Sequence, residues 1–361
     1  MPDSLLTATA PVFTVDGQVQ GQLARDVNRL EVEEDTSGMK RLTLRLVAQG
    51  PQQGAPEEEL LYLDGSILDF GKRLQVSMGP EESARTVFDG FISGLEVCLQ
   101  EAKDPEVVTF AEDRLMRLRT TRRMKTYENV SDADVAQAIA SEHGISAEAD
   151  AAGPTYDVVQ QWNQSDLAFL RDRARLVQAE VWIADDKLHF QSRSGRSGTE
   201  IELVQGNTLI AVEARADLAH QRTKVTVSGY DASSRDKISE DADSSAIDAE
   251  VSGGRTGVAI LQQAFGARTS YRVRQAPLTT GEASAWAKAE MLRRARAFVT
   301  VNGVTSGSAN MVVGSQVTLQ RVGAPFQGSG YYVTRVLHAY DLQDGFRTHF
   351  SAERATLQEG S

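Results

Sequence analysis

The residue types that most often carry chemistry are few in this chain, and their spacing matches no metal or nucleophile motif. None of the five histidines has another at the helical spacing of zinc ligands: they are His143, His189, His220, His338 and His349. His338 and His349 could meet across neighbouring strands, but no close third ligand accompanies them. The sole cysteine, Cys98, lies in an apparent strand and is interpreted as structural, since one thiol cannot form an internal disulfide.

Phosphate and hydrolase motifs are also incomplete. Five residues rather than four separate Gly65 from Gly71, and Arg73 follows Lys72 where a Ser or Thr would bind magnesium. In residues 303–307 the serine is one position late for a nucleophile elbow. Carboxylates are plentiful, but nothing marks two of them as a general acid and base. We therefore predict no catalytic, cofactor-binding or metal-binding residue, no cofactor, and a protein that is not an enzyme.

The overall charge argues against a protein built to grip nucleic acid. The chain has 361 residues, 41% hydrophobic and 24% charged, with a formal net charge of −12. One basic cluster interrupts this acidity: Arg114, Arg117, Arg119, Arg122, Arg123 and Lys125. Because it lacks interleaved aromatics for base stacking, we interpret it as a face paired with acidic neighbours. No apolar run is long enough to span a membrane, and residues 1–6 lack the pattern of a secretory signal.

Short antiparallel strands are predicted over residues 1–112. Asp16-Gly17 between extended flanks is a strong hairpin signal, and Leu42, Leu44 and Leu46 alternate with polar residues as in a half-buried strand. A Gly-, Pro- and Gln-rich loop is expected over residues 49–59. Several short strands at this spacing indicate a sandwich or small barrel.

Residues 113–200 have a mixed α/β pattern, with helices expected near 131–143 and 165–179. Ser131 is predicted to cap the first helix and Gly144 to end it. Residues 155–190 predict a strand, a helix capped by Asn163 or Ser165, and a hairpin turning at residues 185–187. Residues 193–198 are predicted to form a flexible segment that follows the 155–190 strand, helix and hairpin.

The helix that begins near residue 165 is predicted to be amphipathic. Leu167, Leu170, Ala174 and Val177 recur at helical spacing and define its buried stripe. The charged residues between them are expected to face solvent: Arg171, Asp172, Arg173 and Arg175.

Residues 201–361 again predict β structure, with an acidic surface loop over 231–257 and a helix over 280–298. Thr279 and Glu282 are spaced as a capping box for that helix. Two weak similarities suggest duplication of a β domain around the helical segment. Residues 107–113 resemble 225–231, and residues 88–92 resemble 330–333.

An ordered set of short motifs runs along most of the chain. The most specific segment is Asn163-Gln164-Ser165-Asp166-Leu167, followed by Phe169-Leu170 and an Arg-rich helix. The supporting segments share aromatic or glycine-marked strand patterns: Phe88-Asp89-Gly90-Phe91-Ile92, Gly229-Tyr230-Asp231, Gly330-Tyr331-Tyr332-Val333 and Gly345-Phe346. This ordered set resembles the tail-hub family of contractile injection machines, which includes the late control D proteins of phages and the hub half of the type VI secretion (VgrG) spike.

The resemblance implies an α+β, mainly β fold, with two tail-tube-like β-barrel domains and an intervening α/β insertion. It implies a baseplate hub: a homotrimeric ring adapting the sixfold tail tube to the threefold spike and leaving a central channel. Expected partners are a tail-tube or tube-initiator protein, a separate central spike protein, and tape-measure and baseplate wedge proteins. We expect no membrane insertion and no specific nucleic-acid binding.

The resemblance also implies a location in the baseplate of a virion or injection particle, assembled in the bacterial cytoplasm. The resemblance fits three kinds of machine equally: a phage, a bacteriocin-like particle and a cellular injection system. An alternative function is a particle-associated β-rich glycan or peptidoglycan hydrolase. A carbohydrate-binding module would show exposed aromatic platforms, and at 6% aromatic residues it is the weakest alternative.

Overall fold

The computed structural model describes residues 10–49, 60–79, 84–232, 234–251, 253–272 and 277–358. These residues form a mainly β structure with helices, as the sequence predicts. The loop predicted over 49–59 lies outside the described residues except for Gln49, as do the segments 1–9 and 359–361.

The first part of the chain is antiparallel. Its strands are β1 Val12–Val15, β2 Gln18–Val19, β3 Val27–Asp35, β4 Arg41–Val47, β5 Arg73–Met78, β6 Arg85–Cys98 and β7 Glu106–Glu112, with helix α1 at Gly21–Asp26. The predicted hairpin joins β1 to β2, and Asp16 and Gly17 both have positive φ, as a type I′ turn requires. Leu42, Leu44 and Leu46 are buried as predicted.

The helical segment follows. Its elements are α2 Leu115–Thr120, β8 Arg122–Val130, α3 Asp132–Glu142, β9 Ser146–Ala149, β10 Tyr156–Ser165, α4 Asp166–Val177, β11 Ala179–Ala184 and β12 Lys187–Ser192. Ser131 forms a full capping box with Asp134, and Gly144 (φ 65°) ends α3 in the left-handed conformation. Both predicted helix ends are confirmed.

The last part of the chain mixes strands with two helices. Its elements are β13 Glu200–Val204, β14 Leu209–Ala216, β15 Lys224–Asp231, β16 Asp236–Ala242, β17 Arg255–Thr256, α5 Gly257–Phe265, β18 Thr269–Arg272, α6 Thr280–Arg296, β19 Val299–Ser306, β20 Gln316–Gln320, β21 Gly328–Asp341, β22 Gly345–Arg354 and β23 Thr356–Leu357. Thr279 caps α6 by accepting from the Glu282 N–H at 3.2 Å, while the Glu282 carboxylate accepts from Leu278 instead.

The prediction of an acidic loop over residues 231–257 is wrong in the described part of that segment. It contains strand β16, two short 3-10 turns and strand β17. Ile238 and Ile247 are buried, at 5% and 0% exposure, and Glu250 binds the largely buried Arg296. The polar composition predicted a loop, but the packing of these two buried isoleucines accompanies regular structure in this segment.

One thirteen-stranded sheet unites both β regions. Its strand order is β14-β19-β22-β21-β3-β4-β7-β6-β5-β1-β2, and β20 and β13 branch from β21. The two parts meet where β3 pairs antiparallel with β21. The described residues form a continuous sheet rather than two separate closed barrels.

The same strand pattern occurs twice in this sheet. In the first part the order β3-β4-β7-β6-β5-β1 matches β14-β19-β22-β21-β20-β13 in the second, strand for strand along the chain. The β-bulges match as well: β6 shifts register between Ile92 and Gly94, and β21 between Val333 and Arg335. One difference is that β1 runs antiparallel to β5, whereas β13 runs parallel to β20.

A second matched bulge lies between Val27 and Arg29 in β3 and between Leu209 and Ala211 in β14. Bulges are specific features, and their repetition at equivalent positions supports duplication of one β unit. The similarity of residues 88–92 to 330–333 thus lies on equivalent strands. The similarity of residues 107–113 to 225–231 does not, because β15 belongs to a separate three-stranded sheet and β22 is the counterpart of β7.

Each β unit has its own core, and the helical segment has a third. Phe13, Leu44 and Phe88 belong to the first β core, and Val301 and Tyr331 to the second. The third core is shared between predicted domains. It contains residues of α3 and α4 and also Val227, Ile238 and Trp286 from the 217–298 segment between β14 and β19. The described α/β structure therefore draws on both sides of the predicted boundary at residue 200.

Candidate functional site

Eight consecutive strands of the sheet form what we call the arc: β14, β19, β22, β21, β3, β4, β7 and β6. Because side chains alternate along a strand, each strand of the arc presents one set of residues to a core. In β3, Leu30 and Val32 are buried, whereas Arg29, Glu31 and Glu33 point to the opposite side. We call that opposite side the outer face.

The outer face carries both signs of charge and is acidic on balance. By strand register, its acidic residues are Glu31, Glu33, Asp35, Asp89, Glu96, Glu106, Glu112, Glu213, Asp341 and Glu353. Its basic residues are Arg29, Arg41, Arg45, Arg215, Arg335 and Arg347.

Many of the charged side chains of the outer face are paired with each other. Arg335 Nε lies 2.6 Å from Glu33 Oε1 across the β3–β21 junction, and an Arg45 nitrogen lies 3.4 Å from Glu106 Oε2. Such a surface presents few free cations to a passing polyanion, so phosphates would find little to hold them.

The two ends of the arc are free edges within the described residues. The outermost strand at one end is β14, which bonds along its length only to β19. At the other end, residues 94–98 of β6 bond only to β7, because β5 pairs with the earlier part of that strand, residues 85–91.

Four of the six residues of the basic cluster are paired with acidic neighbours, as predicted. Arg114 lies 2.8 Å from Asp186, and Arg123 lies 3.0 Å from both Glu142 and Asp166. The remaining members have partners too: Arg119 pairs with Glu112, Lys125 with Glu142, Arg122 with Asn163, and Arg117 lies over the Phe91 ring. None of these cluster residues belongs to a strand face of the arc.

The structure does not bring the candidate chemical residues together. His349 pairs with Leu337 and His338 with Thr348, so the two rings lie on opposite faces of the sheet. Burial lowers the pKa of His338 to about 3, and the ring is neutral at ordinary pH. Lys72 donates to the carbonyls of Gly65 and Ser66 and closes its own loop. Among the described residues, no group of three His, Cys, Asp or Glu side chains is arranged to hold a metal ion.

The 155–190 segment forms the predicted strand, helix and hairpin. Of the two candidate caps it is Ser165 that accepts from the Ala168 N–H, at 3.2 Å, while Asn163 adopts a positive φ at a bulge in β10. The hairpin turn has Asp185 and Asp186 at positive φ.

The predicted buried stripe of α4 is confirmed at three of its four positions. Leu167, Leu170 and Ala174 are buried, Val177 is half-buried, and Leu176 is buried in its place. Two of the four charged residues predicted to face solvent do not do so fully. The Arg173 side chain is 13% exposed and is bonded to the buried carboxylate of Asp132, and Arg171 is half-buried and donates to the Ser37 carbonyl.

The junction of the three cores is an ionic cluster that the sequence did not reveal. Arg196 binds the carboxylates of Glu34 on β3 and Glu180 on β11, and Tyr332 on β21 donates to Glu180 at 3.1 Å. Arg193 binds Glu353 nearby. The predicted flexible segment over residues 193–198 is therefore wrong, because Arg196 is only 5% exposed. The sequence feature that marks this ionic cluster is the pair Arg193 and Arg196 within a Gly- and Ser-rich segment.

The comparison with protein families matches residues 24–341 to the model described as the Alg8 N-terminal domain. The chain belongs to the Alg8 N-terminal domain family. That description states no activity, so membership leaves the question of catalysis open. No curated protein matches the chain.

Solved structures match this family member over nearly its whole length. The 43 kDa tail protein of prophage MuSo2 from Shewanella oneidensis is 13% identical, with a TM-score of 0.65 over 96% of this chain and 98% of that one. A tail protein from Neisseria meningitidis is 12% identical, with the same TM-score over 96% of each chain.

A third match is the c3393 protein of Escherichia coli, described as a component of the type VI secretion system that is structurally similar to the T4 bacteriophage tail proteins gp27 and gp5. It is 14% identical, with a TM-score of 0.57 over 93% of this chain and 76% of that one. At these identities the matches establish the fold, which is that of proteins of tails and tail-like machines. Among the described residues, no helix has the length and apolar character that a membrane crossing requires.

Proposed function

We propose that this member of the Alg8 N-terminal domain family is the structural baseplate hub of a contractile tail or injection system. Three copies form a ring that joins the sixfold tail tube to the threefold spike and leaves a central channel. The observation that carries the proposal is the repeated six-strand unit, with its matched bulges, in a fold shared with tail proteins.

The repetition explains how a trimer can meet a sixfold partner. Three chains with two similar β units present six nearly equivalent units around one axis. In this proposal each unit is a tail-tube-like barrel, completed on assembly, and the α/β structure between them sets their relative position. The buried Arg196 cluster supports such rigid positioning, since it joins strands β3, β11 and β21.

The outer face of the arc is the proposed channel wall. Its ten acidic and six basic residues make it neutral to acidic, and many of its charges are paired. The basic cluster near residues 114–125 lies off the arc strands. Most of its ion pairs are with carboxylates of the helical segment, and Arg119 pairs with Glu112 at one end of the outer face. A wall of this kind lets a cargo of protein or nucleic acid pass without binding it.

The proposed partners are a tail-tube or tube-initiator protein on one side of the ring and a separate spike protein on the other. Tape-measure and baseplate wedge proteins complete the surroundings. In this proposal the chain resides in the baseplate of a virion or injection particle, having been assembled in the bacterial cytoplasm.

We further propose that the chain acts without a catalytic step. The competing function is a particle-associated glycan or peptidoglycan hydrolase. Incubating the purified chain with peptidoglycan tests it directly: release of soluble fragments, abolished by changing a defined carboxylate pair, would overturn the structural role.

The trimer is tested by sedimentation velocity over a wide range of protein concentration. We expect a species of three times the 39.3 kDa chain mass to accumulate as the concentration rises. A chain that stays monomeric or forms only dimers at every concentration contradicts the proposed ring.

A further inference from the structure

A cavity of about 410 Å³ lies where helices α4 and α6, strand β11 and the turn that follows β3 meet. Five arginines contribute to its wall, Arg171, Arg175, Arg193, Arg293 and Arg296, against two glutamates. This excess of positive charge contrasts with the formal net charge of −12 of the whole chain. A concentration of guanidinium groups around one cavity predicts a negatively charged ligand.

The buried charges of the wall are already paired. Arg193 binds Glu353, and Glu180 is bound by Arg196. The largely buried Arg296 binds a carboxylate that lies outside the wall. The charge available to a ligand is therefore that of the other three arginines.

Two donors of the wall lack acceptors. Arg171 is half-buried, its Nε donates to the Ser37 carbonyl at 2.8 Å, and among the described residues no carboxylate pairs with it. Burial lowers the pKa of Arg171, as expected for a guanidinium without a bonded counter-charge. Arg193 Nε is buried and, within the described part of the chain, has no hydrogen-bond partner. Unpaired buried donors cost free energy, and an acceptor oxygen from a ligand removes that cost.

The other two arginines are held only weakly. Arg175 pairs with Asp172 in solvent, where the side chains are 70% and 51% exposed. Arg293 is 55% exposed and shares the carboxylate of Glu290 with Arg294. Exposed ion pairs contribute little to stability, so both arginines can turn to a bound carboxylate at small cost.

The C-terminal ends of α4 and α6 also reach the cavity, and their dipoles oppose an anion. α4 ends at Val177 and α6 at Arg296, and each end carries about half a negative charge that acts within the last turn. Arg171 lies more than one turn before Val177, roughly 9 Å along the helix axis. The dipole of α4 therefore does not compensate Arg171, and the cavity retains its positive charge.

The spacing of the arginines fits an extended acidic chain. Arg171 and Arg175 lie one turn apart on the same side of α4, with roughly 6 Å of rise between them. Carboxylates at alternate positions of an extended chain also share one side, roughly 7 Å apart. We propose that this cavity binds an acidic segment of a partner protein, in extended conformation and with carboxylates at alternate positions. The wall belongs to a single chain, so the site does not depend on the ring of three copies.

Fluorescence anisotropy with the full-length chain tests the site. The probe is a fluorescein-labelled peptide of four Glu-Ser repeats, and the control peptide has Gln in place of Glu. We expect saturable binding of the Glu peptide and none of the Gln peptide. Arg171→Met should weaken the binding at least about tenfold, because a charge-assisted bond to the ligand is lost.

The matched control is Arg215→Met, which removes an exposed arginine that does not line the cavity. Its side chain is 69% exposed and paired with Asp217, so the variant loses the same charge without a change at the site. Its binding should stay within about twofold of that of the unaltered chain, since salt screens a distant exposed charge. Circular dichroism verifies that each variant is folded. If Arg171→Met does not fold, Arg175→Met replaces it, because that change affects an exposed side chain and should also weaken binding.

Several results would overturn the site. Absence of binding by the Glu peptide, equal losses in Arg171→Met and Arg215→Met, or unchanged binding in Arg175→Met would each contradict recognition of an acidic segment. Displacement of the peptide by an equal concentration of inorganic phosphate would identify a small-anion site instead. A chain that binds the peptide but stays monomeric in sedimentation overturns the hub proposal and leaves this inference standing.

Discussion

Removing the Arg196 guanidinium should destabilise the chain far more than removing an exposed arginine. Arg196 is 5% exposed and binds Glu34 and Glu180, whose side chains are 9% and 8% exposed. Breaking a buried ion pair by removing one partner typically costs about 3–5 kcal/mol, because a carboxylate is left buried without its counter-charge.

The cost of Arg196→Met should lie near the lower end of that range, because both carboxylates keep another partner. Tyr332 continues to donate to Glu180 at 3.1 Å, and Lys40 Nζ lies 3.5 Å from Glu34 Oε2. We therefore expect a loss of about 3 kcal/mol in the free energy of unfolding. Combining Arg196→Met with Glu34→Gln should recover at least about 1 kcal/mol, since one uncompensated charge is gone.

The assay is urea unfolding followed by tryptophan fluorescence, with Trp182 as the local reporter. Its ring centroid lies 4.7 Å from the Arg196 guanidinium carbon. The control is Arg175→Met, whose ion pair with Asp172 is exposed at 70% and 51% and should contribute no more than about 1 kcal/mol. If Arg196→Met costs no more than Arg175→Met, the buried cluster does not hold the three cores together.

Three further predictions concern single positions. A methyl group on Gly38 (φ 92°) would lie 1.5 Å from the Val181 carbonyl oxygen, so Gly38→Ala should cost more than about 4 kcal/mol or prevent folding. Gly17→Ala (φ 82°, open space) should cost only about 1–2 kcal/mol, and equal midpoints in thermal unfolding would refute the difference. Burial lowers the pKa of His338 to about 3, so the unfolded chain binds a proton that the folded ring does not, and the contribution of His338 to stability should fall as pH drops from about 6.5 towards 3. The difference in urea midpoint between the unaltered chain and His338→Gln should therefore change over that range, and a difference that stays constant would contradict the assignment. Burial raises the pKa of Asp113 to about 7, so the contribution of Asp113 has the opposite sign and falls as pH rises from about 4 to 7. The difference in stability between the unaltered chain and Asp113→Asn should follow that sign, and a constant or reversed difference would refute it.

Features set by neighbouring residues could be predicted from the sequence. The Asp16-Gly17 turn, the Ser131 capping box and the Gly144 helix end each depend on a few consecutive residues. Their conformational preferences are strong enough to survive folding unchanged. The mainly β character and the pairing of the basic cluster followed from similar local arguments.

Features set by distant contacts could not be predicted. Arg196 finds Glu34 162 residues away along the chain, which no local pattern indicates. The β3–β21 junction joins residues up to 302 apart, as the Arg335–Glu33 bond shows. The repetition of the six-strand unit became visible only when the strand orders and bulges of both β units could be compared.

The most direct test of the hub account is a cryo-electron-microscopy reconstruction of a particle containing this chain. The account predicts three copies on the tail axis, between tube and spike, with the outer faces of their arcs lining the channel. Density for the chain away from the axis, or a channel lined by the arginines of residues 114–125, would contradict it.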